Sequence, residues 1–279
     1  ELHGGRSVSP CFGARSQPGS SLDFYALGKL LGKGAFGRVN VGVHKLTGAL
    51  TAMKQCERKK IAEMQAKQCL AREVDILKKV HGHSNIIQLL EVIDTPTHVI
   101  LVMEFAAGGD LARYVRHRRF LPEVPQGRML FKQLVDGVAF LHDTCVVHRD
   151  LKLENLLLDS LGCLRIADFG VAVLLRDRQE RISDSCGTPS YMAPEIFRDE
   201  PYCGIPVDAW SVGVVLYTML CGRMPFKGDQ QAELKRSICS GRFPPLPSSN
   251  SSEATELVDG LLQVDADRRL TMPGVLEHA

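Results

Sequence analysis

The chain is organised around one stretch, His148-Arg149-Asp150-Leu151-Lys152-Leu153-Glu154-Asn155, followed closely by Asp168-Phe169-Gly170. Asp150 and Asp168 are carboxylates, Lys152 is an ammonium and Asn155 a carboxamide. One acid can orient a hydroxyl, a second acid with the amide can hold Mg2+, and the ammonium can follow the charge on a moving phosphoryl group. Those are the groups that phosphoryl transfer from a metal-bound nucleotide requires. Any one of these short segments also occurs as a plain turn, so the reading rests on companion segments appearing in order elsewhere.

They do appear. Gly32-Lys33-Gly34-Ala35-Phe36-Gly37-Arg38-Val39 separates two strand-like runs, Tyr25 to Leu31 and Arg38 to His44, and Leu50 to Cys56 follows a Thr47-Gly48 turn. A lone G-x-G-x-x-G also opens dinucleotide-binding folds, where it leads into a helix. Here Val39, Val41 and Val43 alternate after Gly37, so the loop reads as the tip of a hairpin in a small antiparallel sheet. A helical pattern from about Ile61 to Val80 places Leu70, Val74 and Leu77 at three- and four-residue steps. Glu73 lies beside that apolar stripe, where an ion pair with Lys54 explains it better than solvent. Asn85 to Leu89 and Val99 to Phe105 read as further strands. Gly108-Gly109-Asp110 breaks the last one, with Asp110 as N-cap of a helix from Leu111 to about Arg118. A helix from Gln126 to Asp143 comes next. Beyond the metal-binding triplet lie Cys186-Gly187-Thr188-Pro189-Ser190-Tyr191-Met192-Ala193-Pro194-Glu195 and Asp208-Ala209-Trp210-Ser211-Val212-Gly213. Pro244 to Ser252 reads as a surface loop.

In this order the segments resemble the catalytic domain of eukaryotic serine/threonine protein kinases, in the group around the calmodulin-dependent and AMP-activated kinases, from roughly Phe24 to the C-terminus. The resemblance implies an α+β, bilobal fold: a small antiparallel N-lobe sheet with one regulatory helix (22–103), then a hinge and a larger, mainly helical C-lobe (104–279). Residues 1–21 read as a disordered tail. The implied cofactors are ATP and Mg2+, with ATP in the cleft. Leu31, Gly32, Lys33, Gly34, Ala35, Phe36 and Gly37 would cover the phosphates. Val39 and Ala52 would sandwich the adenine from above and Leu157 from below. Lys54, held by Glu73, would contact the α and β phosphates. Met103 would back the pocket, Glu104 and Ala106 would bond adenine through their backbones, and Asp110 would face the ribose or a basic substrate residue. Asp150 would orient the substrate hydroxyl and accept its proton, Lys152 would neutralise the γ-phosphate, and Asn155 and Asp168 would hold the metal. Lys152 together with Thr188 ahead of Pro189 resembles the serine/threonine type. His148 and Phe169 are packing residues in this family, in a column with Leu77 and Leu89 anchored by Asp208, and Glu195 would pair with Arg269 as a buried structural ion pair. A scaffold that binds without transfer loses ground because every phosphoryl-transfer group is present. A dinucleotide-dependent oxidoreductase loses ground to the valines after Gly37.

The departures are informative. Leu153 replaces the usual proline. Four residues before Thr188, where relatives carry a phosphorylated threonine, stands Asp184, and two positions that are basic in some relatives are Val173 and Cys69. A carboxylate brings one charge where a phosphate brings about 1.5 to 2. Two readings stay open: Asp184 pairs with Arg149 and partly orders the segment without phosphorylation, or Asp184 is a solvent-exposed loop residue and Ser183 or Ser185 is the switch. Asp110 and Glu154 suit a substrate with a basic residue three positions before its target. Thr218 replaces a glutamate that reads a second arginine, and Pro189 with Met192 suits an apolar residue after the target.

A formal net charge of +2 gives no bulk electrostatic basis for nucleic-acid or membrane binding. Short basic runs, Arg116-His117-Arg118-Arg119 and Arg58-Lys59-Lys60, read as solvated helix faces. The nine cysteines form no C-x-x-C pair, which fits thiols of a reducing compartment, the cytoplasm or alternatively the nucleus, and not a disulfide or zinc frame. The apolar run Val212 to Cys221 is too short to span a bilayer and fits a buried helix. The absent initiator Met suggests a fragment. The expected partners are proteins carrying Ser or Thr and ATP-competitive small molecules, with no nucleic acid and no membrane, the domain being monomeric.

Overall fold

The computed structural model describes residues 21–34, 37–198 and 200–278. The tail expectation, apart from Ser21, and the phosphate-covering roles of Ala35 and Phe36 therefore lie outside the described residues. Ser21 itself opens a 3-10 turn, Ser21–Phe24. The chain divides into two compact units, one of residues up to Asp75 together with Leu89–Phe105, the other of Ile76–Gln88 and everything from Ala106 onward.

The first unit is a five-stranded antiparallel sheet. Its strands are β1 (Tyr25–Gly34), β2 (Gly37–His44), β3 (Leu50–Glu57), β4 (Leu89–Asp94) and β5 (His98–Glu104), in the order β1-β2-β3-β5-β4. Helix α1 (Met64–Lys79) begins in this unit. Gly34 pairs with Gly37, so the glycine loop caps a hairpin and strand β2 starts at once. No helix follows Gly37, which removes the geometry a dinucleotide fold needs. Because side chains alternate along a strand, register sorts residues to faces. Met53, Ile93, Ile100 and Val102 form a buried core on one face, with Leu22 and Tyr25 against it. On the other face Val39 stands opposite Lys54, and Ala52 opposite Met103.

Residues 85–89 are not the strand that their apolar pattern suggests; the strand is Leu89–Asp94. Side chains explain the difference. The Asn85 amide donates to Leu164 O at 3.0 Å and the Gln88 amide to His83 O and Ile86 O, while the backbone exchanges bonds with Ile166. Residues 76–88 are thereby tied to the second unit, a division different from a boundary at 103/104.

The second unit carries β6 (Gly109–Asp110), α2 (Leu111–Arg118), α3 (Arg128–Asp143), β7 (Val146–Val147), β8 (Leu156–Leu158), β9 (Leu164–Ile166), β10 (Val173–Leu174), β11 (Arg181–Ile182), β12 (Tyr202–Cys203), α4 (Gly204–Cys221), α5 (Gln231–Ser240), α6 (Ser252–Leu261) and α7 (Met272–Leu276). Its centre is α4, longer than the Val212–Cys221 run and apolar enough by composition to cross a membrane, but almost wholly buried within this unit. Trp210 stacks on Phe226 at 5.3 Å between centroids. Gly222 ends the helix in the left-handed region at φ 64, where a β-carbon would run into the Arg119 carbonyl. The last helix is Met272–Leu276, N-capped by Thr271. Before it, Ala266–Arg268 forms a 3-10 turn capped by Asp265.

Candidate active site

The first unit contributes one charged pair. Lys54 Nζ lies 2.6 Å from Glu73 Oε1, and both side chains are largely buried. Strand β3 points Lys54 to the face that also bears Val39, Ala52 and Met103, and Gly32 stands opposite Val39. Leu31 and Lys33 on β1 are exposed. Glu104 ends β5 opposite Thr51.

The second unit gathers most of the remaining groups at the loop after β7. Asp150 Oδ1 accepts from Thr188 Oγ1 at 2.7 Å, and Oδ2 accepts from Lys152 Nζ at 2.6 Å and Asn155 Nδ2 at 3.1 Å. Lys152 Nζ also donates to Thr188 Oγ1 at 2.8 Å. A carboxylate offers about four acceptor sites; three donors hold this one and leave room for a further hydroxyl. Leu153, in the place of the usual proline, is buried and starts the 3-10 turn that delivers Asn155. The Asn155 amide also donates to Asp150 O at 2.8 Å, so its carbonyl oxygen is not consumed by these bonds.

Two backbone outliers frame the loop. Arg149 (φ 66) and Asp168 (φ 63) occupy the left-handed region, at a cost of about 1–3 kcal/mol each. Arg149 is held there by Asp208, which is fully buried and accepts from Arg149 N (2.9 Å), from His148 N (2.8 Å) and from the His142 ring. Asp168 is fixed by its predecessor: Ala167 N donates to Asn155 O, and Ala167 O faces His148 Nε2 at 3.0 Å. The His148 ring lies 5.0 Å from that of Phe169. Both rings are buried, as packing residues should be.

Further along, Arg149 Nη1 donates to Asp184 Oδ1 at 2.8 Å and Arg149 Nε to Val171 O at 2.7 Å. Burial opposes the Arg149 charge, but Cys186 and Asp184 beside it raise its pKa above the usual value. Gly187, at φ 106, passes so close that a β-carbon would lie 2.5 Å from Arg149 O, so only glycine fits. Glu195 accepts two bonds from Arg269, at 2.7 and 2.9 Å, beneath which lies the Trp210 ring.

Asp110 caps α2 by accepting from Arg113 N at 2.7 Å, and Leu157 pairs with it across β6 and β8. Ala106 accepts from Gly109 N. Thr218 is buried, and its hydroxyl donates to Val214 O at 2.7 Å.

The residues present fit Mg2+. Asn155 and Asp168 offer oxygen donors, which a hard cation takes, and Mg2+ characteristically uses one or two protein ligands and fills the rest of its shell from water and phosphate. Among the described residues no cluster of three or more His, Cys, Asp or Glu is set to hold a metal.

A sheet carrying a lysine–glutamate pair and a helical unit carrying an acid held by lysine, threonine and carboxamide together define a protein-kinase-like fold. The family model for the protein kinase domain matches residues 25–279, and the chain belongs to that family. It is 41% identical over 258 residues to Serine/threonine protein kinase OSK3 of Oryza sativa subsp. indica, covering 92% of this chain and 50% of that protein. Serine/threonine protein kinase OSK4 of the same subspecies matches to the same extent. CBL-interacting protein kinase 25 of Oryza sativa subsp. japonica is 38% identical over 267 residues, covering 93% of this chain and 51% of that protein. The chain thus spans about half the length of these curated relatives.

One residue that the sequence did not single out is Tyr202. Its buried hydroxyl donates to Asp184 O at 2.9 Å, and β12 pairs with β11 through Ile182 opposite Tyr202. Burial raises its pKa, so it stays a donor. Neither two-residue strand has a local signature, and only the long-range pairing reveals the contact.

Proposed function

We propose that this chain transfers the γ-phosphate of ATP to serine or threonine hydroxyls of protein substrates. The observation that carries this reading is the Asp150 carboxylate, fixed by Lys152, Thr188 and Asn155 with acceptor capacity to spare. Asp150 takes the substrate hydroxyl at that capacity, orients its oxygen and receives its proton. Lys152, shared between Asp150 and Thr188, sets a positive charge where negative charge on the phosphoryl group must be matched. Lys54, held by Glu73, takes the α and β phosphates. Asn155 and Asp168 would hold Mg2+, which when bound would supply positive charge against the phosphate oxygens. Gly32, Val39, Ala52, Met103, Glu104, Ala106 and Leu157 form the nucleotide contacts in this reading, and Asp110 faces the ribose or a basic substrate residue.

The finer reading is that Asp184 stands in for an activating phosphate. Its support is the 2.8 Å bond from Arg149. Substrates carry a basic residue three positions before the target, met by Asp110 and Glu154. The eight free cysteines among the described residues suit a reducing compartment, cytoplasmic or nuclear.

The test is transfer of labelled γ-phosphate to serine peptides with and without an upstream arginine, comparing the chain with Asp150→Asn. Asparagine keeps the shape but cannot take the proton, so transfer should fall about 10²- to 10⁴-fold while ATP binding persists. Equal transfer by both proteins would remove Asp150 from the role, and equal use of both peptides would remove the basic preference.

A further inference from the structure

The whole chain carries a net charge of +2, yet residues 113–128 alone hold five arginines and one acid, Glu123. Arg113, Arg116, Arg119 and Arg128 are exposed, as is Arg223, which follows the Gly222 packed on the Arg119 carbonyl. Among the described residues none of these five forms an ion pair. The nearby acids are otherwise engaged or face elsewhere. Glu123 accepts from Ser251 N and Oγ at 2.7 and 2.5 Å, Asp110 caps the Arg113 amide, and Glu154, on the turn packed against α2, forms no ion pair. Compensation of helix dipoles accounts for Arg116, His117 and Arg118, which lie in the last turn of α2. It does not account for Arg113 and Arg128, which lie in the first turns of α2 and α3, where a cation is disfavoured.

Apolar side chains are interleaved with these charges. Phe120 is 51% exposed and Val124 63% exposed, while Leu121 between them is anchored inward by its bond to Met219 O. Arg118 folds over the Tyr114 ring at 4.8 Å and bonds Gln126, joining α2 to the turn that bears Val124. Exposed aromatic and arginine side chains on a rigid frame are what protein interfaces enrich.

We propose that this corner, α2 with the loop through Arg128, docks an acidic peptide segment of a partner protein that carries an apolar side chain for Phe120 and Val124. The charge of the corner selects the sign. Arginine, used there to the exclusion of lysine, selects carboxylates through its planar fork. The apolar residues sit singly on turns and form no continuous stripe of the kind a helix lying in a bilayer needs, which favours a peptide over a lipid surface. None of the exposed side chains of this corner is given a role in transfer, although α2 is capped by Asp110 and packs on the turn Leu153–Asn155, and this inference does not depend on the activity.

The experiment uses a fluorescent twelve-residue peptide with glutamates flanking one leucine, titrated with the chain and read by anisotropy. Binding should weaken with added salt. Arg113→Glu with Arg116→Glu should weaken it about tenfold or more, and Phe120→Ala about threefold, by loss of two exposed pairs and one apolar contact. Lys227→Glu with Arg236→Glu, an equal charge reversal on another exposed surface, should leave binding within about twofold. Transfer to a short peptide without acidic residues should be unchanged in all variants. Equal weakening by both reversals would reduce the effect to net charge and overturn the proposal. So would absent peptide binding, including the case in which phosphatidylserine vesicles sediment the chain.

Discussion

Two arginines pin the two ends of one segment, and they do so in opposite ways. Arg269 has no exposed side-chain surface and meets Glu195, 12% exposed, through two parallel bonds; its other donors reach Pro206 O and Gln263 O. Arg149 is 3% exposed, but its partner Asp184 is 66% exposed and accepts a single bond. The first contact is sealed, with four of the five guanidinium N–H groups bonded to protein oxygens. The second has one foot in water, where solvent and salt compete for the carboxylate. The downstream end of the segment is therefore part of the fold, while the upstream end is held by a contact weak enough to be altered. A place where control can act at small energetic cost is the second kind.

The largest effect should come from breaking the sealed pair. Glu195→Gln leaves the Arg269 charge buried without its counter-ion, a loss of about 3–5 kcal/mol, or roughly 10 °C in melting temperature for a domain this size. Thermal unfolding checks it, and a drop below about 2 °C would show that the pair is not the anchor described. Asp184→Ala should behave differently. Stability should change by less than about 1 kcal/mol, whereas transfer should fall roughly tenfold, equivalent to about 1.4 kcal/mol of lost ordering. Unchanged transfer would return the switch to Ser183 or Ser185.

The same contrast explains what was legible in the sequence. Asp150, Lys152, Asn155 and Asp168 lie within a short stretch whose chemistry announces itself, the Lys54–Glu73 pair could be named because a charged residue beside an apolar stripe needs a partner, and the Arg269–Glu195 pair was implied only by the family resemblance. The Asp184 contact was only half legible: the acid was visible, but whether a loop carboxylate reaches an arginine depends on backbone geometry. That geometry rests on Tyr202, on Gly187 against Arg149 O and on the left-handed turn at Arg149, all set by long-range packing. The misplaced strand has a similar origin. Asn-Ile-Ile-Gln-Leu is short, apolar and β-branched like a strand, but the Asn85 and Gln88 amides bond backbone carbonyls and turn it toward β9. Helices α5 and α6 went unnoticed because α5 buries only Ile238 and α6 three residues, too few to impose a visible period.

The smallest effect should come from Tyr202→Phe, and it discriminates best. Phenylalanine keeps the buried ring and removes the bond to the Asp184 carbonyl, worth about 1 kcal/mol net, together with the contact of the hydroxyl with the Arg149 side chain. If that bond matters only for folding, the variant should lose a little stability and transfer at the original rate. If it orients Asp184 toward Arg149, transfer should fall about two- to fivefold, and the loss should vanish in the Asp184→Ala background, where there is no carboxylate left to orient. Hydrogen exchange at residues 181–187 should rise in each single variant and no further in the double. Independent, additive losses would mean that hydroxyl and carboxylate hold the segment separately, and the upstream end would then be as firmly built as the Arg269 end, with no single weak contact for control to act on.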